Sequence, residues 1–130
     1  MTLHQIAGAL VAHCRAGTEA EALDSLYAPD AVSVEMAEIP GLARKTRGLD
    51  GIRAKHAWWA ANFTVHASAV EGPFLHQPDR FAVIFDVDAT HRESGRREAM
   101  REVALYTLRE GRIIREEFFG IPPGAGSGGA

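Results

Sequence analysis

The sequence predicts an α+β fold, with a curved, mixed but mostly antiparallel sheet of about four to six strands wrapped around three N-terminal helices. Helical periodicity is confined to the first half of the chain, and the part after residue 63 consists of strand-like segments and turns. Of the 130 residues, 46% are hydrophobic, which is enough apolar material for one compact domain. We therefore expect a single domain at residues 1–120 and a flexible Pro/Gly-rich tail at residues 121–130.

The first two helices follow from an apolar stripe and from residues typical of helix ends. The stripe has i, i+3, i+4 and i+7 spacing, begins at Leu3 and ends at Cys14. Gly17 suits the position just beyond the end of that helix. Residues Thr18 to Glu21 then have the pattern of a capping box, which predicts a second helix that stops at Pro29.

A short strand, a loop and a third helix come next. The β-branched composition of residues 31–36 predicts the strand, and residues 37–47 predict the loop because they include Pro40-Gly41. The third helix is predicted from about Asp50 to Asn62. One face of this helix carries apolar side chains and one histidine, namely Ile52, His56, Trp59 and Phe63.

The second half of the chain predicts four strands joined by turns. These segments are rich in β-branched and aromatic residues and are separated by Gly, Pro and charged turn residues. They cover residues 64–75, with an interruption at Gly72-Pro73, and residues 81–91, 100–108 and 112–119.

Charge and composition exclude several kinds of partner. A net charge of −3 and a pI near 6.0 give no basis for binding nucleic acid or an anionic membrane surface. No apolar run approaches the roughly 20 residues of a membrane span, and the N-terminus lacks the pattern of a signal peptide. The single cysteine, Cys14, cannot form an internal disulfide and lies on the buried stripe, where an inert core thiol is expected. We therefore expect a cytoplasmic protein.

The two glutamates of the last strand, Glu116 and Glu117, must point to opposite faces of the sheet, so one of them faces the interior. A two-residue turn at Glu110-Gly111 would place Glu117 on the face of Tyr106. A three-residue turn, with the glycine in the left-handed conformation, places Glu116 there instead. We favour the three-residue turn because it collects Glu102, Tyr106 and Glu116 among apolar residues, as suits a pocket wall.

Three stretches of the sequence resemble the NTF2-like superfamily and, within it, the SnoaL-like group. They are residues 27–32 (YAPDAV), 48–52 (GLDGI) and 104–114 (ALYTLREGRII). The resemblance covers about residues 3–119 and implies a cone of sheet closed by helices, with an internal pocket whose mouth lies near the first strand and third helix. It also implies a homodimer formed through the outer sheet face. Pockets of this superfamily serve isomerases, cyclases, dehydratases, hydrolases and non-catalytic binders, so the fold does not name a reaction.

The resemblance also points to carboxylates. Ketosteroid isomerases of the superfamily carry a catalytic carboxylate just after the first short strand, and Glu35 matches that position. An apolar site would raise its pKa, as proton abstraction requires, whereas the alternative is an exposed glutamate at a strand end. Ala104 stands about where those enzymes have a protonated acid, so the chain departs from their mechanism. The polyketide cyclases use a pocket aspartate, for which Asp86 or Asp88 is the candidate, unless the apolar face of that strand packs on the helices and leaves both outside.

Glu102, Glu116 and Tyr106 complete the predicted catalytic set with Glu35. In the favoured register Glu116 pairs with Ala104, and Glu102 is its diagonal neighbour. Facing carboxylates in an apolar pocket repel, so one of them would hold a proton and donate a hydrogen bond. The alternative is a closed network in which each carboxylate is paired with an arginine or with Tyr106. Tyr106 would donate a hydrogen bond to a ligand oxygen, or else serve as a half-buried strand tyrosine.

A second set of residues is predicted to bind the ligand. His56 lies one turn before Trp59 and would reach the pocket, unless it is a partly exposed helix histidine. Trp58 is expected at the edge, where it covers the mouth or an interface. The histidines show no metal-ligand spacing, so we predict neither a metal nor another cofactor. The predicted ligand-binding residues are His56, Trp59, Phe63, Met100 and Phe118.

Two functions fit these residues. The first is an enzyme of isomerase, cyclase or dehydratase type, which moves protons on a small, largely apolar molecule that carries a carbonyl or an epoxide. Glu35 would be its base, and Glu102, Glu116 and Tyr106 would orient or polarise the substrate. The second is a non-catalytic ligand-binding protein or dimeric assembly subunit that uses the same pocket or outer face.

Overall fold

The computed structural model describes residues 1–122, in which three helices precede or interleave with six strands. From residue 123 onward, the predicted tail lies outside the described residues. The elements are α1 (Leu3–Ala16), α2 (Glu19–Leu26), β1 (Tyr27–Val34), β2 (Lys45–Arg47), α3 (Leu49–Asn62), β3 (Phe63–His76), β4 (Arg80–His91), β5 (Arg97–Arg109) and β6 (Arg112–Gly120).

The first helix has the predicted stripe and the predicted end. Its buried residues are Ile6, Ala7, Leu10 and Val11, and Gly17 terminates it in the left-handed conformation with a φ of 73°. The capping box predicted at α2 is wrong, because the Thr18 side chain makes no cap hydrogen bond there. The motif occurs at α1 instead, where Thr2 and Gln5 each accept the other's backbone N–H.

The region between α2 and α3 contains more strand than predicted. Strand β1 begins directly at Tyr27, runs through Pro29 and ends at Val34, so the proline lies within a strand. The predicted loop contains β2, which pairs antiparallel with the end of β1. The remaining loop contacts α3 at Gly41, whose backbone lies close to the Trp58 indole. A side chain at position 41 would come within 3.0 Å of Trp58 Nε1, and the φ of 85° there also favours glycine. Trp58 therefore packs beneath this loop, near the edge where it was predicted.

The six strands form one sheet in the order β2-β1-β6-β5-β4-β3. All neighbours are antiparallel except β1 and β6, which are parallel, so the predicted mixed sheet is confirmed. Its concave face packs on the helices. The largest fully buried side chains of this core are Phe81, Ile6, Leu23, Ile52, Ile113 and Val83.

The β5–β6 hairpin differs from the predicted one at its turn. Arg109 pairs with Arg112, so the turn has two residues, and both Glu110 (φ 52°) and Gly111 (φ 75°) are left-handed, as in a type I′ turn. The predicted three-residue turn is therefore wrong. The register shifts next to this turn. Leu108 pairs with Ile113, but Thr107 pairs with Arg115, so Ile114 has no paired residue on β5.

This shift is a β-bulge at Ile114, and it reverses which side chains of β6 point inward. Strict alternation from the buried Ile113 would send Glu117 into the core and Glu116 out. The extra residue lets Ile113 and Glu116 both face inward, with exposed fractions of 0% and 4%. The predicted inward direction of Glu116 is thus confirmed, although a bulge rather than a longer turn produces it. Glu116 pairs with Tyr106 and not with Ala104.

Among the described residues, no helix has both the length and the apolar character that crossing a bilayer requires.

Candidate functional site

The candidate site is a row of polar side chains on the inner face of the sheet, leading from the core to the end of β1. Tyr27 and Ser33 of β1 both reach the buried Glu116, and Glu35 follows directly after β1, two residues beyond Ser33. The three side chains that face them come from a helix and two strands, namely Lys55 of α3, Glu102 of β5 and Glu116 of β6. We call these six residues the inner polar cluster.

Glu116 lies at the deep end of the inner polar cluster, and both of its oxygens are hydrogen-bonded. The Tyr27 hydroxyl donates to Oε1, and the Ser33 hydroxyl donates to Oε2 at 2.8 Å. Burial, with a further contribution from the charge of Glu116, raises the pKa of Tyr27 well above its ordinary value, so the phenol keeps its proton. Glu116 therefore has the geometry of a satisfied buried carboxylate, with hydroxyl partners instead of the predicted arginines.

Lys55 and Glu35 form an ion pair closer to the surface. The Lys55 ammonium lies 2.6 Å from Glu35 Oε1, and the two side chains have exposed fractions of 9% and 23%. The same ammonium donates to Ser33 Oγ at 2.6 Å and lies 5.3 Å from the centre of the Phe118 ring. Glu35 is therefore half-buried and anchored at one oxygen, rather than freely exposed at a strand end.

Glu102 differs from the other two carboxylates of the inner polar cluster. It shares the inward face with Ala104 and Tyr106 on β5. Its pKa is raised from 4.5 to about 7, mainly by burial and then by the charge of Glu35, with a smaller contribution from Glu116, while the charge of Lys55 opposes the shift. No hydrogen bond within the described residues contributes to this shift. Glu102 is thus a desolvated carboxyl group that exchanges its proton near neutral pH.

Tyr106 packs in the core. Its ring stacks on Phe81 with the centroids 4.7 Å apart and the planes 12° apart, and the residue is 3% exposed. Burial raises the pKa of its hydroxyl well above the ordinary value, and the charge of Glu116 contributes to the shift. This geometry matches the buried strand tyrosine that was the alternative to a ligand donor.

The predicted ligand-binding residues do not form one group. His56 is exposed and so cannot serve the interior, because the neighbouring Lys55 takes the inward position on α3. Trp59 stacks on Phe63 at 4.1 Å, and Phe63 in turn lies 5.2 Å from the His91 ring. Phe118 contacts the inner polar cluster beside Lys55, whereas Met100 is half-buried further along β5.

An open depression of about 500 Å³ lies at the shallow end of the inner polar cluster, and we call it the mouth. Glu35 belongs to both the cluster and the mouth, and Phe118, which contacts Lys55, also lines the mouth. The Met36 side chain packs directly on Gly120 and closes one side. A ligand seated there would contact a carboxylate and apolar side chains together, as is typical of small-molecule sites. The lining residues are Glu35, Met36, Arg44, Glu117, Phe118, Phe119, Gly120, Ile121 and Pro122.

The remaining candidates lie outside the inner polar cluster, although Glu117 lines the mouth. Asp86 pairs with Arg101 at 3.2 Å and Asp88 with Arg97 at 2.8 Å, both on the outer face of the sheet. Glu117 also points outward, where Arg115 lies 3.6 Å away. Burial raises the pKa of the Cys14 thiol to about 12, which leaves it protonated and unreactive.

Sequence reasoning missed three members of the inner polar cluster, Tyr27, Ser33 and Lys55. A sequence signal could have found two of them, Lys55 and Ser33. Lys55 lies three residues after the buried Ile52, so a helical face that includes Ile52 includes the lysine as readily as His56. Ser33 lies two residues before Glu35, so strand alternation places both on one face.

Known proteins match this chain over nearly its whole length. The SnoaL-like domain family matches residues 1–120. A candidate SnoaL-like polyketide cyclase from Mesorhizobium loti is 36% identical, with a TM-score of 0.85, over 92% of this chain and 99% of that one. No curated protein matches the chain.

Two further solved structures share the fold at lower identity. An NTF2-like protein from Burkholderia thailandensis is 20% identical, with a TM-score of 0.79, and the match covers 93% of this chain and 92% of that one. TerC, co-crystallised with polyporic acid, is 22% identical with a TM-score of 0.67, over 90% of this chain and 89% of that one. The α+β cone expected from the sequence is therefore confirmed.

Proposed function

The chain belongs to the SnoaL-like domain family, and from that premise we propose that it is a cofactor-independent acid/base enzyme. Its substrate is a small, largely apolar molecule with a carbonyl group, and its reaction is of the isomerase, cyclase or dehydratase type. The observation that carries this proposal is the pairing of two unlike carboxyl groups. Glu35 is held in an ion pair at the mouth, and Glu102 is a desolvated acid whose pKa is about 7.

The proposed roles follow from these environments. Glu35 keeps one oxygen, Oε2, outside the contact with Lys55, and this oxygen accepts a proton from the carbon next to the carbonyl. Glu102 gives its proton to the carbonyl oxygen as the α-proton leaves, so that a neutral enol forms, and it recovers that proton when the enol returns to the ketone. A desolvated acid beside a carboxylate that is held in an ion pair supplies the two partners that acid/base work requires.

The relatives support a small-molecule substrate. The Mesorhizobium loti protein is a candidate polyketide cyclase, and TerC was crystallised with polyporic acid. The mouth, at about 500 Å³, is within the size range of small-molecule sites. Glu116 and Tyr106 have structural roles in this proposal, because one is fully hydrogen-bonded and the other is stacked in the core.

Proton exchange on simple ketones tests the proposal. The protein is incubated in D₂O with a panel of cyclic ketones, 1-tetralone among them, and NMR follows the loss of the α-proton signals. We expect exchange faster than in buffer, and we expect Glu35→Gln to slow the catalysed part by about 10²-fold or more. Glu98→Gln, an exposed change on the same strand as Glu102, is the matched control and should leave the rate unaltered.

Two outcomes would overturn the enzyme proposal. One is exchange no faster than in buffer for every ketone while the same ketones perturb the spectrum of the protein, which would support the alternative of a non-catalytic ligand-binding protein. The other is catalysed exchange that persists unchanged in Glu35→Gln. Native mass spectrometry of the freshly purified protein would then identify any ligand that it carries.

We also propose that the chain forms a homodimer through the outer face of the sheet. Apolar side chains from four adjacent strands form two rows there, and Phe74 and Phe119 are 48% and 46% exposed. Ion pairs such as Arg101–Asp86 border this patch. A contiguous exposed apolar patch with a polar rim is typical of a protein interface. The outer patch consists of Phe74, Ala82, Ile84, Val103, Leu105 and Phe119.

Light scattering with size-exclusion chromatography measures the mass in solution. We expect a dimer for the native chain and a monomer for Val103→Arg, because the arginine would be buried in the outer patch between the apolar side chains of Ile84 and Phe119. Val65→Arg is the control, since Val65 is as exposed as Phe119 of the patch, at 46%, but lies away from the patch near the start of β3. A native chain that is monomeric at micromolar concentration would contradict the dimer.

A further inference from the structure

Lys55 is a buried cation in the interior of the described fold. It is one of two lysines in the chain, and its side chain is 9% exposed, whereas Lys45 on β2 is exposed. Buried lysines are rare unless they are paired. The pairing is complete here, because the ammonium contacts Glu35 Oε1 and Ser33 Oγ at 2.6 Å each.

The ammonium is linked to a second carboxylate through Ser33. The Ser33 hydroxyl accepts from Lys55 and donates onward to Glu116 Oε2 at 2.8 Å. Each hydrogen bond in this series therefore has a fixed direction, from the lysine to the serine and from the serine to the glutamate. The lysine comes from α3, its two partners are Ser33 of β1 and Glu35 directly after it, and β6 supplies the glutamate that holds Ser33 in place.

Lys55 interacts differently with Glu35 and with Glu102. Glu35 touches the ammonium, whereas Glu102 makes no hydrogen bond within the described residues and feels Lys55 only through space. Three charges act on the pKa of Glu102, namely Glu35 directly after β1, Lys55 from α3 and Glu116 from β6, and its paired residue on β4 is the apolar Phe85. Lys55 is the one positive charge among them, and it opposes two negative ones.

This inference rests on the proposed function. We propose that Lys55 is a positioning residue that gives Glu35 and Glu102 their different roles. It holds Glu35 in place as the base at the mouth through their ion pair, and its charge favours release of the proton from Glu102. Without the ammonium, Glu102 would face two carboxylates in an apolar site and could no longer release its proton during turnover.

A titration of Glu102 tests this inference. The glutamates are labelled with ¹³C at the side-chain carboxyl carbon, and NMR measures the pH midpoint of Glu102. In Lys55→Met, which keeps the apolar stem and removes the charge, we expect the midpoint to rise by about one pH unit or more. In Lys55→Arg, which keeps the charge, the midpoint should stay close to the native one. Lys45→Met is the matched control on the other lysine and should leave it unaltered.

A second comparison avoids leaving a charge unpaired in the interior. Glu35→Gln and the double variant Glu35→Gln/Lys55→Met differ only in the lysine, and the double variant has neither member of the ion pair. We expect a higher Glu102 midpoint in the double variant than in Glu35→Gln. Equal midpoints in this pair would overturn the inference, even if Lys55→Met alone did not fold.

The titration and the proton-exchange assay fail independently. If Glu35→Gln abolishes exchange but the Glu102 midpoint is the same with and without Lys55, the enzyme proposal stands and the role of Lys55 is refuted. If the midpoint responds to Lys55 and no ketone exchanges, the electrostatic role is supported and the enzyme proposal falls.

Discussion

Replacing Glu116 with alanine is expected to lower the free energy of unfolding by about 3 kcal/mol or more. The change removes the acceptor of two buried hydroxyls, those of Tyr27 and Ser33, which are 5% and 0% exposed. Each buried donor left without a partner costs about 1 to 3 kcal/mol, and the space left by the side chain adds a cavity contribution. Urea unfolding followed by circular dichroism would measure the difference.

Glu116→Gln separates the hydrogen bonds from the charge. The amide has nearly the same shape and keeps one oxygen that can accept from Tyr27, so we expect a loss of less than half that of the alanine variant. An alanine variant within about 1 kcal/mol of the native protein would show that Glu116 is not needed by its hydroxyl partners.

The second large effect is a pH-dependent gain in stability in Glu102→Gln. The pKa of Glu102 is raised from 4.5 to about 7, so between these values the folded state binds more protons than the unfolded state. The stability that this group contributes is therefore complete below pH 4.5 and is lost as the pH rises through 7. By pH 8 the loss is on the order of 3 kcal/mol, from about 1.4 kcal/mol per pKa unit.

Glutamine at position 102 does not ionise, so the variant should not lose this contribution to its free energy of unfolding as the pH rises from 4.5 through 7. Urea unfolding of both proteins at several pH values from 4.5 to 8 gives the difference, in which the other titrating groups largely cancel. We expect the difference to grow steadily in favour of the variant. Glu98→Gln on the same strand should show no such trend, and a constant difference for Glu102→Gln would mean that Glu102 has an ordinary pKa in the folded protein.

These two residues illustrate opposite uses of a buried carboxyl group. Glu116 has its full set of partners, so its removal destabilises the fold. Glu102 lacks hydrogen-bonding partners in the described fold, so its ionised form is costly there and its neutralisation is stabilising. Groups that lower stability in this way are concentrated at functional sites, which agrees with the proposed role of Glu102.

The order of elements and most of the core follow from local patterns. The stripe from Leu3 to Cys14 and the left-handed Gly17 define α1, and the alternation of Phe81, Val83 and Phe85 identifies the inner face of β4. That alternation also placed Asp86 and Asp88 outside. These features are predictable because a side chain's direction within one element depends only on the helical or strand period.

The inner polar cluster was only partly predictable, because its members come from β1, α3, β5 and β6. The inward choice between Lys55 and His56, one position apart on α3, depends on how the helix is rotated against the sheet. Lys55 faces inward because Glu35 and Ser33 satisfy its ammonium there. A single sequence does not show which partners an ionised side chain will find on another element.

Local periodicity is sufficient to make this chain an α+β protein with a carboxylate-bearing sheet, since helical and strand periods are properties of short segments. The inward glutamate of the last strand, in contrast, depends on contacts between distant segments. The turn at Glu110-Gly111 would have directed Glu117 inward, and the bulge at Ile114 directs Glu116 inward instead. Packing explains the difference: Ile113 and Glu116 both find partners inside, the first in the apolar core and the second at the hydroxyls of Tyr27 and Ser33. A one-residue shift of register allows both to be satisfied.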